Sequence, residues 1–480
     1  MTIRSRVAEL VGKENAEFLK HSANYLSADA VVGVIGIASL PILTHLLSKA
    51  EYGELGVFLS TASVFALFIE LNFRGALNRY WLDKPADGND FLKTNLLFLA
   101  AFSGLVLLLC WWARAPLARF FAISSSLFYL SVICAALRIP WNLWWKLLVA
   151  EQRSRAFATL KSIKALLNFA VGIAWIYLLS RERYMGQVYA TLAVEGALCL
   201  LLTLWLLKYA RGGHLRWKHL RYSLAFGVPL IPHALSGYVL NLFDRIIIQQ
   251  LEGSESTGIY SLANDIGGLM NIVVMSMNQS WLPIFAEHRK NGDFERIRRL
   301  ASTYSLYVYL LAVAMVLLSE EVILVLADEE FHGALPLIPV IVFGYAAMFL
   351  YTIYSNYSFY SNRTGYISLA TFIAASTNVG LNYWAIPIWG YQAAAWTTLA
   401  SFFMQFLVHF AVVKLVLKEA VVPLRDLLPA YFASAGLCVV YWVSRALIGD
   451  YVITLLAVKL PLVALVAALI LRAHKRRKAL

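Results

Sequence analysis

The chain has 480 residues, 60% of them hydrophobic and 14% charged, with 41 basic against 28 acidic side chains for a net charge of +13. A soluble domain carries about 25% charged residues and keeps its apolar runs short, because each surface element needs a wet face, so this composition excludes an ordinary soluble protein. The positive excess is not the footprint of a nucleic-acid binder either. It is split into short clusters between apolar runs, each near the length that crosses the roughly 30 Å hydrocarbon core as a helix.

Taken in chain order, residues 1–21 are polar and mixed in charge. They lack the layout of a signal peptide and read as a cytoplasmic lead-in. Hydropathy then predicts fourteen helical spans, and the fold class expected is an all-α polytopic membrane protein. Spans at 23–47, 52–73, 94–113, 118–148, 156–179 and 186–207 form a first six-helix lobe over 22–210. A basic cytoplasmic linker occupies 211–221. Spans at 222–251, 258–281, 300–326, 335–360, 366–386 and 390–413 form a second lobe over 222–418. Spans at 427–443 and 452–471 form a terminal pair, with a basic tail, over 419–480. With the N-terminus cytoplasmic, 32 of the 41 basic residues fall in inside segments, 6 outside, and 3 (Arg138, Arg245 and Lys459) within spans. That alternation follows the positive-inside rule and places both termini in the cytoplasm. The loops are short, so function is expected within the helices or at their ends. Cys110, Cys134, Cys199 and Cys438 each sit inside an apolar run without a CxxC pair, which reads as small buried hydrophobes rather than disulfides or a metal site.

Two stretches carry a resemblance. One is Leu40-Pro-Ile-Leu-Thr-His-Leu-Leu-Ser-Lys-Ala-Glu-Tyr-Gly-Glu-Leu-Gly56. The other runs Val228-Pro-Leu-Ile-Pro-His, Asp244-Arg-Ile-Ile-Ile and Gly258-Ile-Tyr-Ser-Leu-Ala. Their turns also resemble each other and lie near the starts of the two six-helix blocks, as in transporters built from repeats. The chain resembles the polysaccharide-transport flippases of the multidrug/oligosaccharidyl-lipid/polysaccharide exporter superfamily. The resemblance implies a bacterial inner-membrane transporter of two lobes. It implies a basic cavity that takes an undecaprenyl-diphosphate-linked oligosaccharide from the cytoplasmic to the periplasmic leaflet by alternating access, for O-antigen, capsule or exopolysaccharide synthesis. The partners it implies are that lipid-linked glycan, membrane lipid, a coupling proton or sodium ion and other polysaccharide-assembly proteins. No nucleic acid and no cofactor are expected.

A flippase needs polar stripes on apolar helices. Span seven offers His233, Gly237, Asn241 and Arg245 at helical spacing, flanked by Asp244. Span eight offers Asn264, Gly268, Asn271, Met275 and Asn278; span one Asp29, Gly33 and Gly36; span twelve Thr397, Ser401, Gln405 and His409. Such residues also pack helices together in lipid. Charges within spans tell more, because each costs roughly 2.5–3.5 kcal/mol at a helix centre on insertion scales. Glu195 stands midway along span six, as an ion-coupling site or a carboxylate bonded to a neighbouring helix. Asp244, Arg245 and Asp265 share a depth, so Arg245 and Asp265 form an outer latch, or Arg245 meets phosphate through its planar fork. Asp29, Glu70, Arg74, Arg79 and Arg138 form an inner gate that also captures pyrophosphate; snorkelling is the rival reading. Lys459 reads as a lipid-phosphate contact or a snorkelling side chain. Tyr354, among the aromatics Tyr345, Phe349, Tyr351, Tyr357, Phe359 and Tyr360 of span ten, reads as a sugar-stacking ring. Trp141, Trp144 and Trp145 read as an interfacial belt. The expected substrate contacts are therefore Arg74, Arg138, Arg245, Asn241, Asn271 and Tyr354, and the expected coupling or gating residues are Asp29, Glu195, Asp244 and Asp265. The competing readings are a cation-coupled drug or metabolite antiporter of the same superfamily and a membrane-embedded glycan polymerase or ligase. The second lacks a loop large enough to display a paired acid–base site.

Overall fold

The computed structural model describes residues 13–82, 86–419, 421–448, 455–466 and 468–469, and every regular element among them is helical. Much of the expected lead-in, and the basic tail beyond residue 469, lie outside the described residues. Eleven helices among the described residues are long and apolar enough to cross a membrane. The other three expected spans are helical as well. One is the pair Ser254–Gly267 and Leu269–Lys290, one is Thr364–Trp389, and the last is described only in part.

The chain divides into two units, Met1–Leu235 and Ser236–Leu480. The first holds α1 (Lys13–Leu46), α2 (Lys49–Glu70), α3 (Phe73–Leu82), α4 (Gly88–Trp112), α5 (Arg114–Phe121), α6 (Ser125–Leu137), α7 (Ile139–Ala150), α8 (Ser154–Leu178), α9 (Tyr184–Tyr209) and α10 (Trp217–Gly227). Expected span four is broken into α6 and α7 where Pro140 opens the second helix, and Arg138 stands at the break. The boundary falls later than the expected end of the linker because that linker is clamped to the first unit. Asp90 accepts from the His214 backbone N–H at 2.7 Å and pairs with Arg216. Asp87 accepts from Lys218 at 2.5 Å and from Tyr80 at 2.6 Å. Gly213 passes so close that a Cβ there would stand 2.4 Å from the Asn89 carbonyl oxygen.

The second unit holds most of α11 (Ile231–Glu252), then α12 (Ser254–Gly267), α13 (Leu269–Lys290), α14 (Phe294–Leu326), α15 (Leu337–Tyr360), α16 (Thr364–Trp389), α17 (Ala393–Ala411) and α18 (Leu428–Ile448). The turn between α11 and α12 needs Gly253, whose φ is +84°. Expected span eight is broken at Gly267 and Gly268, and Gly267 lets α12 lie against Ile341 of α15. Helix α15 is apolar on all sides and is buried along nearly its whole length, as such a helix must be.

Candidate functional site

In the first unit the basic side chains gather around buried acids. Glu195, midway along α9 and 2% exposed, lies between two cations. Arg138 Nε is 3.1 Å from its Oε1, and Lys164 Nζ of α8 is 2.9 Å from its Oε2. The Lys164 ammonium also sits 4.5 Å from the centre of the Trp141 ring, a contact worth more where water is scarce. Helix α7 continues the cluster. Its Asn142 donates to buried Glu70 at 3.1 Å, and its Lys146 lies 4.0 Å from the Trp145 ring. Glu70 takes a second bond from the Arg74 backbone at 3.2 Å and faces the Arg74 side chain at 3.7 Å. Lys161, one turn before Lys164, pairs with Asp29 of α1. Five basic side chains thus surround three acids, and the cluster as a whole is positive. A buried charge persists only when paired and hydrogen-bonded, so these positions are held rather than incidental.

The second unit holds a carboxylate by different means. Asp244 of α11 is 3% exposed. It accepts 2.6 Å hydrogen bonds from the Tyr260 hydroxyl of α12, the Asn382 amide of α16 and the Thr398 hydroxyl of α17. Asn378 completes the cage, accepting from Asn382 at 3.2 Å and donating to Thr398 at 3.1 Å. Thr397 donates to Asn382. Among the described residues no basic side chain forms an ion pair with Asp244. Its neighbour Arg245 points elsewhere and meets Asp265 at 2.6 Å. A carboxylate in a cage of neutral donors has no cationic side chain to offset its charge, so a proton or a small monovalent cation would neutralise it.

A family model for polysaccharide biosynthesis proteins matches residues 18–289, more than half of the chain. The chain belongs to that family. A second model, MatE, matches residues 229–384, which include Asp244, Tyr260, Asn378 and Asn382. Among curated relatives, the Lsg locus putative protein 1 of Haemophilus influenzae is 23% identical over 65% of this chain and 78% of its own length. Among solved structures, the lipid II flippase MurJ in an inward-closed conformation superposes with a TM-score of 0.73 and 14% identity over 93% of this chain and 98% of its own. An inward-facing multidrug resistance MATE family transporter of the MOP superfamily gives 0.60 and 13%, over 81% and 99%. The fold of this polysaccharide biosynthesis protein is therefore that of the superfamily's membrane transporters, as the sequence resemblance implied.

Several expected residues stand in surroundings other than those the sequence suggested. Tyr354 is fully buried between Phe406 and Phe410, and its hydroxyl donates to the Val422 carbonyl at 2.7 Å. It offers no face to a sugar; the same holds for Tyr345, Phe349 and Tyr357, which are core. Lys459 does not snorkel: it is buried, pairs with Glu321 and lies over the Tyr441 ring. Trp144 is buried, and Trp141 and Trp145 carry lysines rather than forming only a belt. The stripe Thr397, Ser401, Gln405 and His409 is enclosed within the second unit. Asn241 bonds back to the Gly237 carbonyl at 2.7 Å, and Asn271 is half-buried with its Oδ1 enclosed. Sequence reasoning missed Lys146, Lys161 and Lys164, which counted there as inside anchors, and it missed Tyr260, Asn378, Asn382 and Thr398. The available signal was spacing: Phe157, Lys161, Lys164 and Asn168 share one face of α8.

Proposed function

We propose that this protein flips an undecaprenyl-diphosphate-linked oligosaccharide from the cytoplasmic to the periplasmic leaflet of a bacterial inner membrane for surface polysaccharide synthesis. One observation carries this reading: the positive cluster of the first unit, centred on Arg138 and Lys164. Two cations already organised around one carboxylate can pass to a phosphate, which accepts from guanidinium and ammonium groups in the same way. The charge excess suits a diphosphate and disfavours a cationic drug. The Asp244 cage supplies the coupling half of the cycle, taking a proton or sodium ion whose binding biases one of the two states. The superfamily fold and the match to the polysaccharide biosynthesis model support this assignment.

The experiment is deletion of the gene in its source strain, with lipid-linked oligosaccharides quantified by leaflet alongside surface polysaccharide. Completed units stranded on the cytoplasmic leaflet, with surface glycan lost, are expected. Complementation by the wild type but not by Arg138→Ala is expected to restore export. Normal surface glycan in the deletion strain would overturn the reading and favour the antiporter, which the MatE match to the Asp244 unit would then support. Truncated units would point to an enzyme.

A further inference from the structure

Between α1 and α8 the first unit carries a polar cleft that the transport reading does not use. It has a volume of about 480 Å³ and is lined by Asn24, Ser27 and Val31 of one helix and by Arg155, Thr159 and Ser162 of the other. On α8 these residues stand opposite Lys161 and Lys164, so they look away from the buried acids. Along the same two faces follow Val31, Val34, Ile163 and Leu166, each at least 40% exposed. Apolar side chains uncovered in this way on membrane-spanning helices meet acyl chains.

Three donors in this cleft have no partner among the described residues. Arg155 forms neither a hydrogen bond nor an ion pair there, whereas Arg153 and Lys161 pair with Glu151 and Asp29. Thr159 and Ser162 form no hydrogen bond among the described residues either. Hydroxyls on helices ordinarily bond back to the carbonyl four residues earlier, as Ser302, Thr303, Thr371 and Ser401 do here. Snorkelling accounts for the exposure of Arg155, but not for two hydroxyls that leave their own helix unbonded. The three residues share one face of α8, with the hydroxyls about 6 and about 10 Å deeper than Arg155 by the rise of a helix. A phospholipid presents its groups in that order: a phosphate for the guanidinium fork, then ester carbonyls for the hydroxyls. Ser27 donates to the Asn24 carbonyl at 2.8 Å and so presents an oxygen that accepts from a headgroup hydroxyl. The cleft lies at the end of the unit that the basic clusters assign to the cytoplasm, the side on which basic pockets between helices hold anionic headgroups.

We propose that this cleft binds one anionic phospholipid of the cytoplasmic leaflet, with its phosphate on Arg155, its ester carbonyls on Thr159 and Ser162, and its acyl chains along Val34, Ile163 and Leu166. The occupant is a resident lipid of the bilayer and not the transported one, because the cleft is turned away from the cation cluster. The lipid lies over the seam that Asn24 and Ser154 close at 2.9 Å, and it braces α1, a span that the rest of the protein covers little.

The test uses the full-length protein in detergent, titrated with dioleoylphosphatidylglycerol or dioleoylphosphatidylcholine, with the Kd of the first lipid bound read by native mass spectrometry. The phosphatidylglycerol is expected to bind about fivefold more tightly, the order of one added charge beside a basic residue. Arg155→Ala should weaken it about tenfold, the order of one hydrogen bond to a charged group, and erase the preference. Arg153→Ala, two residues away and already paired at the surface, should leave both Kd values within about twofold. Thr159→Val combined with Ser162→Ala should weaken both lipids alike, about fivefold, because both carry the same esters. Arg155 is exposed and unbonded among the described residues, so its variant should unfold at the wild-type temperature when no lipid is added. A phosphatidylglycerol Kd that survives Arg155→Ala, or equal losses from Arg153→Ala and Arg155→Ala, overturns the site in favour of diffuse surface charge. Displacement of the lipid by millimolar inorganic phosphate overturns it in favour of a free anion, and displacement by an equal concentration of undecaprenyl diphosphate overturns it in favour of the transported lipid.

Discussion

Glu195 in the first unit and Asp244 in the second are both buried carboxylates in mid-helix, but their partners differ in kind. Glu195 meets an arginine and a lysine, whereas Asp244 meets a tyrosine, an asparagine and a threonine. In the first setting the carboxylate is outnumbered, and what the site can exchange is an anion. In the second it is solvated by dipoles that carry no net charge, and what the site can exchange is a cation. The same functional group is thus given opposite surroundings by its neighbours, which suits the proposed cycle, in which an anionic head group is moved and a cation supplies the driving force.

The sharpest way to break this contrast is one substitution made twice. Glu195→Gln takes the anion away from two half-buried cations, and removing one partner of a buried ion pair typically costs about 3–5 kcal/mol. We expect thermal unfolding in detergent to shift strongly downward for this variant. Asp244→Asn removes a charge that has no ion pair while keeping a side chain of the same shape, so its unfolding in ion-free buffer should move by less than about 1 kcal/mol in either direction. Equal losses in both variants would end the comparison.

The second effect is smaller and concerns the ion. A cation bound only to the folded protein adds stability by mass action, about 2.7 kcal/mol at a concentration a hundred times its Kd. The wild type should therefore gain thermal stability as sodium is raised or, if the proton is the ligand, as pH is lowered. Asp244→Asn should show neither dependence, and its transport should not respond to the ion gradient. Tyr260→Phe removes one of the three donors that stabilise the bare carboxylate, so it should retain the response with the cation bound about tenfold to a hundredfold more tightly, since a hydrogen bond to a charged group is worth about 1.5–3 kcal/mol.

How much of this was legible follows from which interactions are local. Composition and hydropathy suffice for helices and their positions, because a membrane span must satisfy its own backbone. The burial of Tyr354 was also readable, since α15 is apolar all round and such a helix is enclosed; its aromatic richness pointed instead to sugar. The charged pairs were not readable. Lys164 and Glu195 are 31 residues apart, and Asn382 and Asp244 are 138 apart, so no local spacing relates them. Counting lysines as inside anchors conceals those that fold back onto acids. The quoted fragments Asp244-Arg-Ile-Ile-Ile and Gly258-Ile-Tyr meet through the Tyr260–Asp244 hydrogen bond, a contact that their spacing across one hairpin made available.

The smallest expected effect lies at the surface, where the first unit repeats its scheme in water. Asp87 is held by Lys218 and by Tyr80, and their hydrogen bonds bring its carboxyl down to about 2. A depressed acid stabilises the folded state above its unfolded value of about 3.9 and loses that contribution as pH falls through the folded value. The clamp on the linker should therefore be unchanged from neutral pH to about pH 4 and should release only toward pH 2. Solvent screens an exposed pair of this kind, so Asp87→Asn should speed amide hydrogen exchange over 211–227 by no more than about fivefold at pH 7. Exchange faster by orders of magnitude would mean that this surface clamp has the weight reserved here for the buried pairs. No change at all would mean that Asp90, with its bonds to His214 and Arg216, holds the linker alone.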